Sequence, residues 1–301
     1  MEPERRSEHK RAGVLYVTAA FAVWGVLPVY WKALQSVPPL EILMHRIIWS
    51  LVFVSVLLTV AKRGKTLREN LGSARVRLFL LATSALIGIN WFLYIWAVNN
   101  GHIVESSMGY FITPLLNVLL GMIFLRERLN ARQTTALTLA AVGVIIRTAQ
   151  YGGIPWISLG LALSFALYGL LKKLANLDSL IGLLGETAVL APAALGYILF
   201  LQVRGTGAFA ASSCAVTLML AAAGIVTSVP LLLFAEGAKR VPLATVGFAQ
   251  YISPSLSLCL GVLVYHEVFT GMHALSFSLI WCALLVYSFS RVKLGKTGIA
   301  A

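Results

Sequence analysis

GYFITPLLNVLLGMIFLRERL, at residues 109–129, holds a pattern that returns near the other end of the chain. A proline, a glycine and a glutamate keep the same spacing in both copies, which are Pro114, Gly121 and Glu127, and then Pro254, Gly261 and Glu267. An aromatic residue, an isoleucine and a hydroxyl residue precede each proline, as FIT in the first copy and YIS in the second. We therefore expect two equivalent units, at residues 1–150 and 151–301.

The composition is that of a membrane protein. Of the 301 residues, 59% are hydrophobic and 12% are charged, whereas soluble domains have roughly 45–50% apolar and about 25% charged residues. Ten apolar segments come close to the length of about 20 residues that crosses a bilayer. They lie at residues 13–33, 44–61, 78–98, 105–125, 133–149, 154–171, 179–201, 216–236, 243–265 and 272–290. We predict an all-α polytopic membrane protein with ten transmembrane helices.

The net charge of +13 reflects orientation in the membrane and not binding to nucleic acid. If the N-terminus is cytoplasmic, all but four of the 24 Lys and Arg residues fall on the cytoplasmic side, the exceptions being Lys32, Arg46, Arg147 and Arg204. Positive charge marks the cytoplasmic loops of membrane proteins. We therefore expect both termini in the cytoplasm, with the lipid bilayer and not nucleic acid as the partner.

The arrangement of the segments indicates transport. Each unit has five segments, and an odd number of crossings inverts the unit that follows. Inverted repeats are typical of secondary transporters, which bind their substrate near the bilayer midplane between the repeats. No Walker A motif, zinc-helix motif, nucleophile elbow or dinucleotide-binding turn occurs in a fitting context, so neither an ATP-driven pump nor a familiar enzyme is indicated. The cysteines, Cys214, Cys259 and Cys282, have no paired spacing, and we expect no metal site and no cofactor.

The second segment holds the densest group of ionisable residues predicted to lie in the membrane. Glu41 and His45 are four residues apart, on one helical face, and Arg46 follows them. Arg46 would lie about 9 Å into the bilayer, where its side chain can reach back to the interface or turn into a water-filled cavity. Its repeat equivalent is Glu186, which suggests an ion pair between the two. Glu186 could equally carry a proton, as intramembrane carboxylates often do.

Aromatic and amide side chains supply the other candidates for a substrate site. Asn90, Trp91 and Tyr94 share one short stretch, and Ser106, Tyr110, Thr113 and Asn117 form a polar stripe on one helix. Asn90 has a second interpretation, as a hydrogen bond that joins two helices. The predicted substrate-binding residues are Trp24, Arg46, Asn90, Trp91, Tyr94, Tyr110, Asn117, Tyr168, Glu186, Gln250 and Tyr251.

The repeated skeleton itself has both structural and gating interpretations. Pro114 and Pro254 fall near the midplane, where each removes one backbone hydrogen bond, and we predict that they act as hinges. The two glycines are expected to allow close helix packing. We interpret Glu127 as a solvated charge at the interface, with a shared helix-end or gating contact as the alternative.

Five stretches together resemble the EamA branch of the drug/metabolite transporter superfamily, and within it the RarD-type proteins. They are EILMHRIIWS (41–50), NWFLYIWAVNN (90–100), GYFITPLLNVLLGMIFLRERL (109–129), AAGIVTSVPLLLF (222–234) and GFAQYISPSLS (247–257). The resemblance covers nearly the whole chain. It implies a bacterial inner-membrane protein of ten helices in two inverted five-helix EamA repeats, with alternating access around a central cavity. Members of the superfamily move amino acids, other metabolites, amphipathic drugs and cations.

The leading hypothesis is a secondary transporter that exports small metabolites or amphipathic drug-like compounds, driven by a proton or another coupling ion. Aromatic walls would hold the apolar body of the cargo, while Arg46 would favour a carboxylate on it. The alternative is an intramembrane enzyme that acts on a lipid or prenyl substrate, with His45 and either Glu41 or Glu186 as acid and base. Such an enzyme has no need of inverted repeats.

Overall fold

A computed structural model describes residues 2–99, 103–149, 156–209, 211–264 and 271–290. In these ranges the regular structure is entirely helical. The helices are α1 (Glu2–Ala33), α2 (Pro39–Val60), α3 (Gly64–Gly72), α4 (Ala74–Asn99), α5 (Ile103–Leu125), α6 (Ala131–Ala149), α7 (Trp156–Ala175), α8 (Ser179–Val203), α9 (Cys214–Arg240), α10 (Leu243–Gln250), α11 (Ile252–Leu263) and α12 (Gly271–Ser290).

The helices confirm the predicted class of a multi-span membrane protein. Within the described residues, α1, α2, α4, α7, α8 and α9 are each long and apolar enough to cross a membrane, and α5, α6 and α12 contain shorter apolar stretches. The ten predicted segments correspond to these nine helices and to the pair α10–α11. The short helix α3, in the basic loop between the second and third segments, was not predicted.

The ninth predicted segment is broken, and the break lies before Pro254. α10 ends at Gln250 and α11 begins at Ile252, with Tyr251 between them. Pro254 has no N–H to donate to the carbonyl of Gln250, four residues earlier, and its ring crowds that carbonyl. α5 in contrast runs through Pro114 as one helix.

Two ends of the bundle can be distinguished by their side-chain contacts. At the basic end, which comprises residues 61–63, 126–128, 172–178 and 236–243, Arg63 pairs with Asp178. The Lys173 Nζ atom there donates to the backbone carbonyls of Ala238 and Val241. At the distal end, which comprises residues 33–41 and 204–219, the Glu41 Oε1 atom accepts the amide of Ala208 at 2.6 Å.

The packing of the helices is related between the two halves of the chain. The contact of α1 with α9 has its counterpart in that of α7 with α4. The contact of α5 with α7 corresponds to that of α11 with α1, and the contact of α2 with α9 corresponds to that of α8 with α4. The contacts of α2 with α8, of α5 with α10 and of α6 with α12 join equivalent positions of the two halves. The most extensive helix contacts are thus preserved when each helix of one half is exchanged with its counterpart.

α2 and α9 approach each other so closely that their backbones touch. A Cβ atom at Gly224 would lie 2.2 Å from the carbonyl carbon of Trp49. The Ser50 hydroxyl donates to the Gly224 carbonyl at 3.2 Å and closes this contact. Small residues commonly permit such close approach between transmembrane helices.

The glutamate of the repeated skeleton caps another helix. The backbone turns back at Arg126, which has a φ of 52°, and the Glu127 amide donates to the Gly121 carbonyl at 3.0 Å. The two oxygens of the Glu127 carboxylate accept the amides of Leu243 at 2.7 Å and Ala244 at 3.0 Å. These are the first amides of α10, which lack partners inside their own helix.

The cap explains the spacing between Gly121 and Glu127. A Cβ atom at position 121 would lie 2.7 Å from the Glu127 Oε2 atom. The glycine therefore leaves the space into which the carboxylate folds. The interpretation of Glu127 as a solvated charge is therefore wrong. Glu127 makes a helix-end contact, which was the alternative interpretation. Glu267 lies outside the described residues, and so does the environment of Gly261.

We predict that Glu127→Ala and Gly121→Ala both destabilise the protein and that their effects are coupled. Glu127→Ala removes the acceptor of two amides, which costs about 1–3 kcal/mol. The cost of Gly121→Ala should shrink in the Glu127→Ala background, because the carboxylate it crowds is gone. Unfolding of detergent-purified variants measures both effects.

Two substitutions serve as controls for this cycle. A Cβ atom at Gly196, within α8, would meet nothing within 4 Å, so Gly196→Ala should leave stability nearly unchanged. Glu69 lies exposed on α3, in a long contact of 4.0 Å with Lys65, and Glu69→Ala should also be neutral. Additive losses at positions 121 and 127 would contradict the coupling.

Candidate functional site

The candidate site forms around Arg46, on the second turn of α2. Its Nε atom donates to the Thr227 hydroxyl of α9 at 3.0 Å. The guanidinium carbon lies 4.7 Å from the ring centroid of Trp31 on α1 and 5.1 Å from that of Trp91 on α4. A hydrogen bond and two aromatic faces thus fix the position of the guanidinium. Cation–π contacts of this kind contribute from about 0.5 to 2 kcal/mol each, depending on desolvation.

Tyr94 and Tyr110 extend this group of side chains. Their rings meet edge to face, with centroids 6.3 Å apart, and both phenols lie within electrostatic range of Arg46. Their residues are 38% and 46% exposed. Because the guanidinium they approach is held between three helices, we assign their exposed surface to the inside of the bundle. The arginine–aromatic cluster comprises Trp31, Arg46, Trp91, Tyr94, Tyr110 and Thr227.

Trp24 lies in an adjoining group of aromatic rings. Its ring centroid is 5.3 Å from that of Phe21, 5.9 Å from that of Phe165 and 5.7 Å from that of Phe234. Phe234 also stacks on Tyr168, with centroids 6.2 Å apart and planes 12° apart. Trp24 is half-buried in this group, which links α1 with α7 and α9.

Glu186 forms a buried ion pair with Lys172. The Lys172 Nζ atom lies 2.7 Å from the Glu186 Oε1 atom, and the Tyr168 hydroxyl donates to Oε2 at 3.1 Å. The three side chains are 8%, 2% and 0% exposed, in the order Lys172, Glu186 and Tyr168. A Cβ atom at Gly182 would lie 3.1 Å from the ammonium, so the glycine helps to make room for the pair.

The expected ion pair between Arg46 and Glu186 is therefore wrong. Glu186 lies towards the basic end, next to the last turn of α7, where Lys172 reaches it directly. Arg46 lies near the beginning of α2, towards the other end, and contacts Thr227. Proximity decides the pairing, because the attraction between two opposite charges falls with distance and Lys172 lies at hydrogen-bonding distance from Glu186.

The amide and phenol groups of Asn90, Asn117, Gln250 and Tyr251 connect helices. Asn90 donates through Nδ2 to the Leu161 carbonyl and the Ser164 hydroxyl, both at 2.9 Å. Asn117 donates through Nδ2 to the Gln250 Oε1 atom at 2.9 Å. The Tyr251 hydroxyl donates to the Phe111 carbonyl at 3.3 Å. The residues joined by these bonds are Asn90, Leu161, Ser164, Asn117, Gln250, Tyr251 and Phe111. Amides in a membrane interior need such partners. The helix-joining interpretation of Asn90 fits this geometry, and these four residues lie in the packing of the bundle.

His45 and Glu41 hold the distal loop. Besides accepting the Ala208 amide, Glu41 lies 3.9 Å from the His45 ring, measured between Oε1 and Nε2. The His45 ring stacks on Phe209, with centroids 4.9 Å apart. Of the residues in the alternative enzyme hypothesis, Glu41 accepts a loop amide through Oε1, the His45 ring stacks on a loop residue, and Glu186 pairs with Lys172.

Several residues of the site were missed or assigned differently from the sequence. Trp31, Thr227 and Phe234 are not among the residues predicted from the sequence, and Lys172 falls among the predicted cytoplasmic charges. The described residues contain no group of three or more His, Cys, Asp or Glu side chains that could hold a metal ion.

We predict that removing one partner of the Lys172–Glu186 pair destabilises the protein, whereas replacing both partners together has little effect on stability. Lys172→Met and Glu186→Gln each leave one charge buried without its partner, so each should lower the free energy of unfolding by about 3–5 kcal/mol. The double variant should recover most of that loss. Unfolding in detergent measures the three variants.

The matched control is the exposed pair of Lys65 and Glu69, whose charged atoms are 4.0 Å apart. Its equivalent substitutions, Lys65→Met and Glu69→Gln, should each change stability by less than about 1 kcal/mol. A double variant at positions 172 and 186 that is as unstable as the sum of its parts would contradict the pairing.

The chain is similar over nearly its full length to bacterial proteins, some of which are named as transporters. It is 50% identical to YojE of Bacillus subtilis (strain 168), an uncharacterized transporter, over 94% of this chain and 95% of that one. It is 43% identical to protein RarD of Escherichia coli (strain K12), over 93% and 95% of the two chains. The chloramphenicol-sensitive protein RarD of Pseudomonas aeruginosa is 30% identical, over 94% and 95%.

A family model and a solved structure agree with these relatives. The model of the EamA-like transporter family matches residues 11–148. One crystal structure matches with a TM-score of 0.71 at 19% identity, covering 95% of this chain and all of the other, which shows a shared fold. The protein belongs to the EamA-like transporter family and is of the RarD type.

Proposed function

We propose that the protein is a secondary active transporter that exports small metabolites or amphipathic drug-like compounds. Amino-acid-related and chloramphenicol-like compounds are the candidate cargoes that we would test first. The observation that carries the proposal is the arginine–aromatic cluster, in which a cation and partly exposed aromatic rings meet inside the bundle. Apolar walls with a few fixed polar groups are the usual composition of a small-molecule site.

Alternating access would use the two units at residues 1–150 and 151–301. The exchange of helix contacts between the halves supports a pseudo-two-fold relation between them. The cluster includes residues of α1, α2, α4 and α5 from the first unit and Thr227 of α9 from the second. A substrate site between two repeats is what an inverted-repeat transporter requires.

The contacts at the basic end support an outward-facing state. Three contacts tie together six helix ends, those of α2, α5, α7, α8, α9 and α10: Arg63 with Asp178, Lys173 with the end of α9, and Glu127 with the start of α10. If positive charge marks the cytoplasmic side, these contacts close the protein towards the cytoplasm. Both termini would then be cytoplasmic in the bacterial inner membrane.

Glu186 is our candidate for a proton-binding group. Lys172 and Tyr168 contact its carboxylate, and a small cavity beside it is lined by Asp178, Lys239 and other residues of the basic end. Protonation of Glu186 would release Lys172 and weaken the contact between α7 and α8. Transport would then depend on the pH gradient.

Counterflow in proteoliposomes tests the transport function. Vesicles loaded with an unlabelled small amphipathic compound should accumulate the same compound in labelled form, chemically unchanged, and vesicles without protein should not. Glu186→Gln should lose the response to an imposed pH gradient while counterflow persists. Chemically altered cargo without translocation would instead favour the intramembrane enzyme, and an unchanged pH response would remove Glu186 as the proton carrier.

We predict that Pro114→Ala and Pro254→Ala change the rate of transport more than the affinity for cargo. The restored N–H lets α10 and α11 straighten at position 254 and adds a backbone hydrogen bond to α5 at position 114, which alters the motion of these helices and not the cargo contacts. Initial rates over a range of cargo concentrations separate the two quantities. Pro192 lies exposed within α8, so Pro192→Ala is the control. Equal losses of rate and affinity, or no loss, would assign both prolines to packing.

A further inference from the structure

The charge of Arg46 is not balanced by the protein groups that the structure describes. Its Nε atom bonds to an uncharged hydroxyl, that of Thr227. Among the described residues, no carboxylate lies within ion-pair distance of the guanidinium. The four N–H groups of its two Nη atoms likewise have no acceptor among them. Arginine is able to donate two parallel hydrogen bonds to a planar anion.

The carboxylates whose contacts are described are occupied elsewhere. Glu236, for example, pairs with Lys239 at 2.8 Å and with Arg240 at 2.9 Å. The others with assigned partners are Glu41, Glu69, Glu127, Asp178 and Glu186. A lone charge within a membrane span is costly, and such charges mark substrate or ion pathways. The described residues therefore leave the charge of Arg46 without a counter-charge, which a ligand can supply.

On the basis of the proposed transport function, we propose that the cargo is a monocarboxylate with a compact aromatic or apolar body and without a cationic group. Its carboxylate would bind Arg46 by two hydrogen bonds. Trp31 and Trp91 hold the guanidinium from its sides, and Tyr94 and Tyr110 offer their exposed rings to the apolar body.

The cluster disfavours a zwitterionic amino acid. An α-ammonium lies only a few ångströms from its own carboxylate and would therefore lie close to the guanidinium, where like charges repel. The indole faces of Trp31 and Trp91, which could otherwise hold an ammonium, are already taken by Arg46. No carboxylate of the described residues is near enough to compensate.

Four probes of nearly equal shape separate these alternatives. They are hydrocinnamate, which is an anion, phenylalanine, a zwitterion, phenethylamine, a cation, and hydrocinnamamide, which is neutral. Titrations of the purified full-length protein, followed by tryptophan fluorescence and thermal shift, should show hydrocinnamate binding at least about 10-fold more tightly than the other three. Equal or tighter binding of the amine or the amide would overturn the proposal.

Substitutions of Arg46 identify the residue responsible. Arg46→Gln should abolish the preference for hydrocinnamate over hydrocinnamamide, and Arg46→Lys should reduce it, because lysine keeps the charge and loses the paired geometry. Arg46→Gln should unfold at the same temperature as the parent or higher, since it removes an unbalanced charge. Retained hydrocinnamate preference in Arg46→Gln contradicts the proposal.

Arg204 supplies the matched control. It lies exposed at the distal end, where its guanidinium covers the Phe200 ring at 4.6 Å, and Arg204→Gln should leave the titrations unchanged. A loss of preference in Arg204→Gln equal to that in Arg46→Gln would mean a general surface-charge effect and would overturn the proposal.

Counterflow with the same probes separates this inference from the proposed function. If the vesicles exchange amide or amine but not hydrocinnamate, the protein is a transporter and the inference on cargo charge is wrong. If hydrocinnamate binds through Arg46 but does not cross, the binding inference stands and the transport function is wrong.

Discussion

The helix that begins at Leu243 depends on a carboxylate that the other half of the chain supplies. The first amides of a helix have no partner within it, and Leu243 and Ala244 are buried away from water. Glu127 satisfies two of these amides. The acceptor can reach them only because α5 turns back at Arg126 and because position 121 carries no side chain. A single contact therefore sets the end of α5, the start of α10 and the distance between them.

The same requirement, that polar groups find partners inside the bundle, orders the rest of the interior. Lys173 donates a hydrogen bond to a carbonyl at the end of α9, Glu186 forms an ion pair with Lys172, and Asn117 donates to Gln250. These contacts concentrate between the middle of the bundle and its basic end. Towards the other end lie Glu41, which accepts a loop amide, and Arg46, whose partners are a hydroxyl and aromatic rings.

Hydrophobicity and repetition were enough to predict the helical membrane class and the positions of the spans. Hydrophobicity belongs to a single segment, and the bilayer acts on it directly. Repetition is visible in the sequence itself, and neither property depends on how the helices contact one another. The partners of the polar side chains could not be predicted in the same way, because they depend on rotation and tilt of one helix against another. Asn90 and Asn117 are of a residue type that is common in binding sites, but their hydrogen bonds join helices and so belong to packing. Lys172 followed an apolar segment and was counted as a loop charge, although one more turn of α7 takes it inside.

The repeated spacing between Gly121 and Glu127 is a signal in the sequence for their contact in the structure. Gly-x5-Glu recurs, and recurrence at a fixed distance suits a contact between the two members better than two independent roles. From the sequence, the glycine is expected to allow helix packing, and the glutamate is expected to be a solvated charge, with a helix-end or gating contact as the alternative. Their joint role follows only when the turn at Arg126 brings the carboxylate back over the glycine.

The backbone contact between Gly224 and Trp49 limits how the two halves can move. α2 and α9 belong to different halves, and at this point no side chain separates them that could slide or change rotamer. Translation of one helix along the other would drive backbone atoms together, whereas rotation about the contact keeps their distance. In the proposed alternating-access cycle, the crossing of α2 and α9 would act as the pivot. Arg46 and Thr227, about one turn away on the same two helices, would then stay close to the axis while the outer helices move.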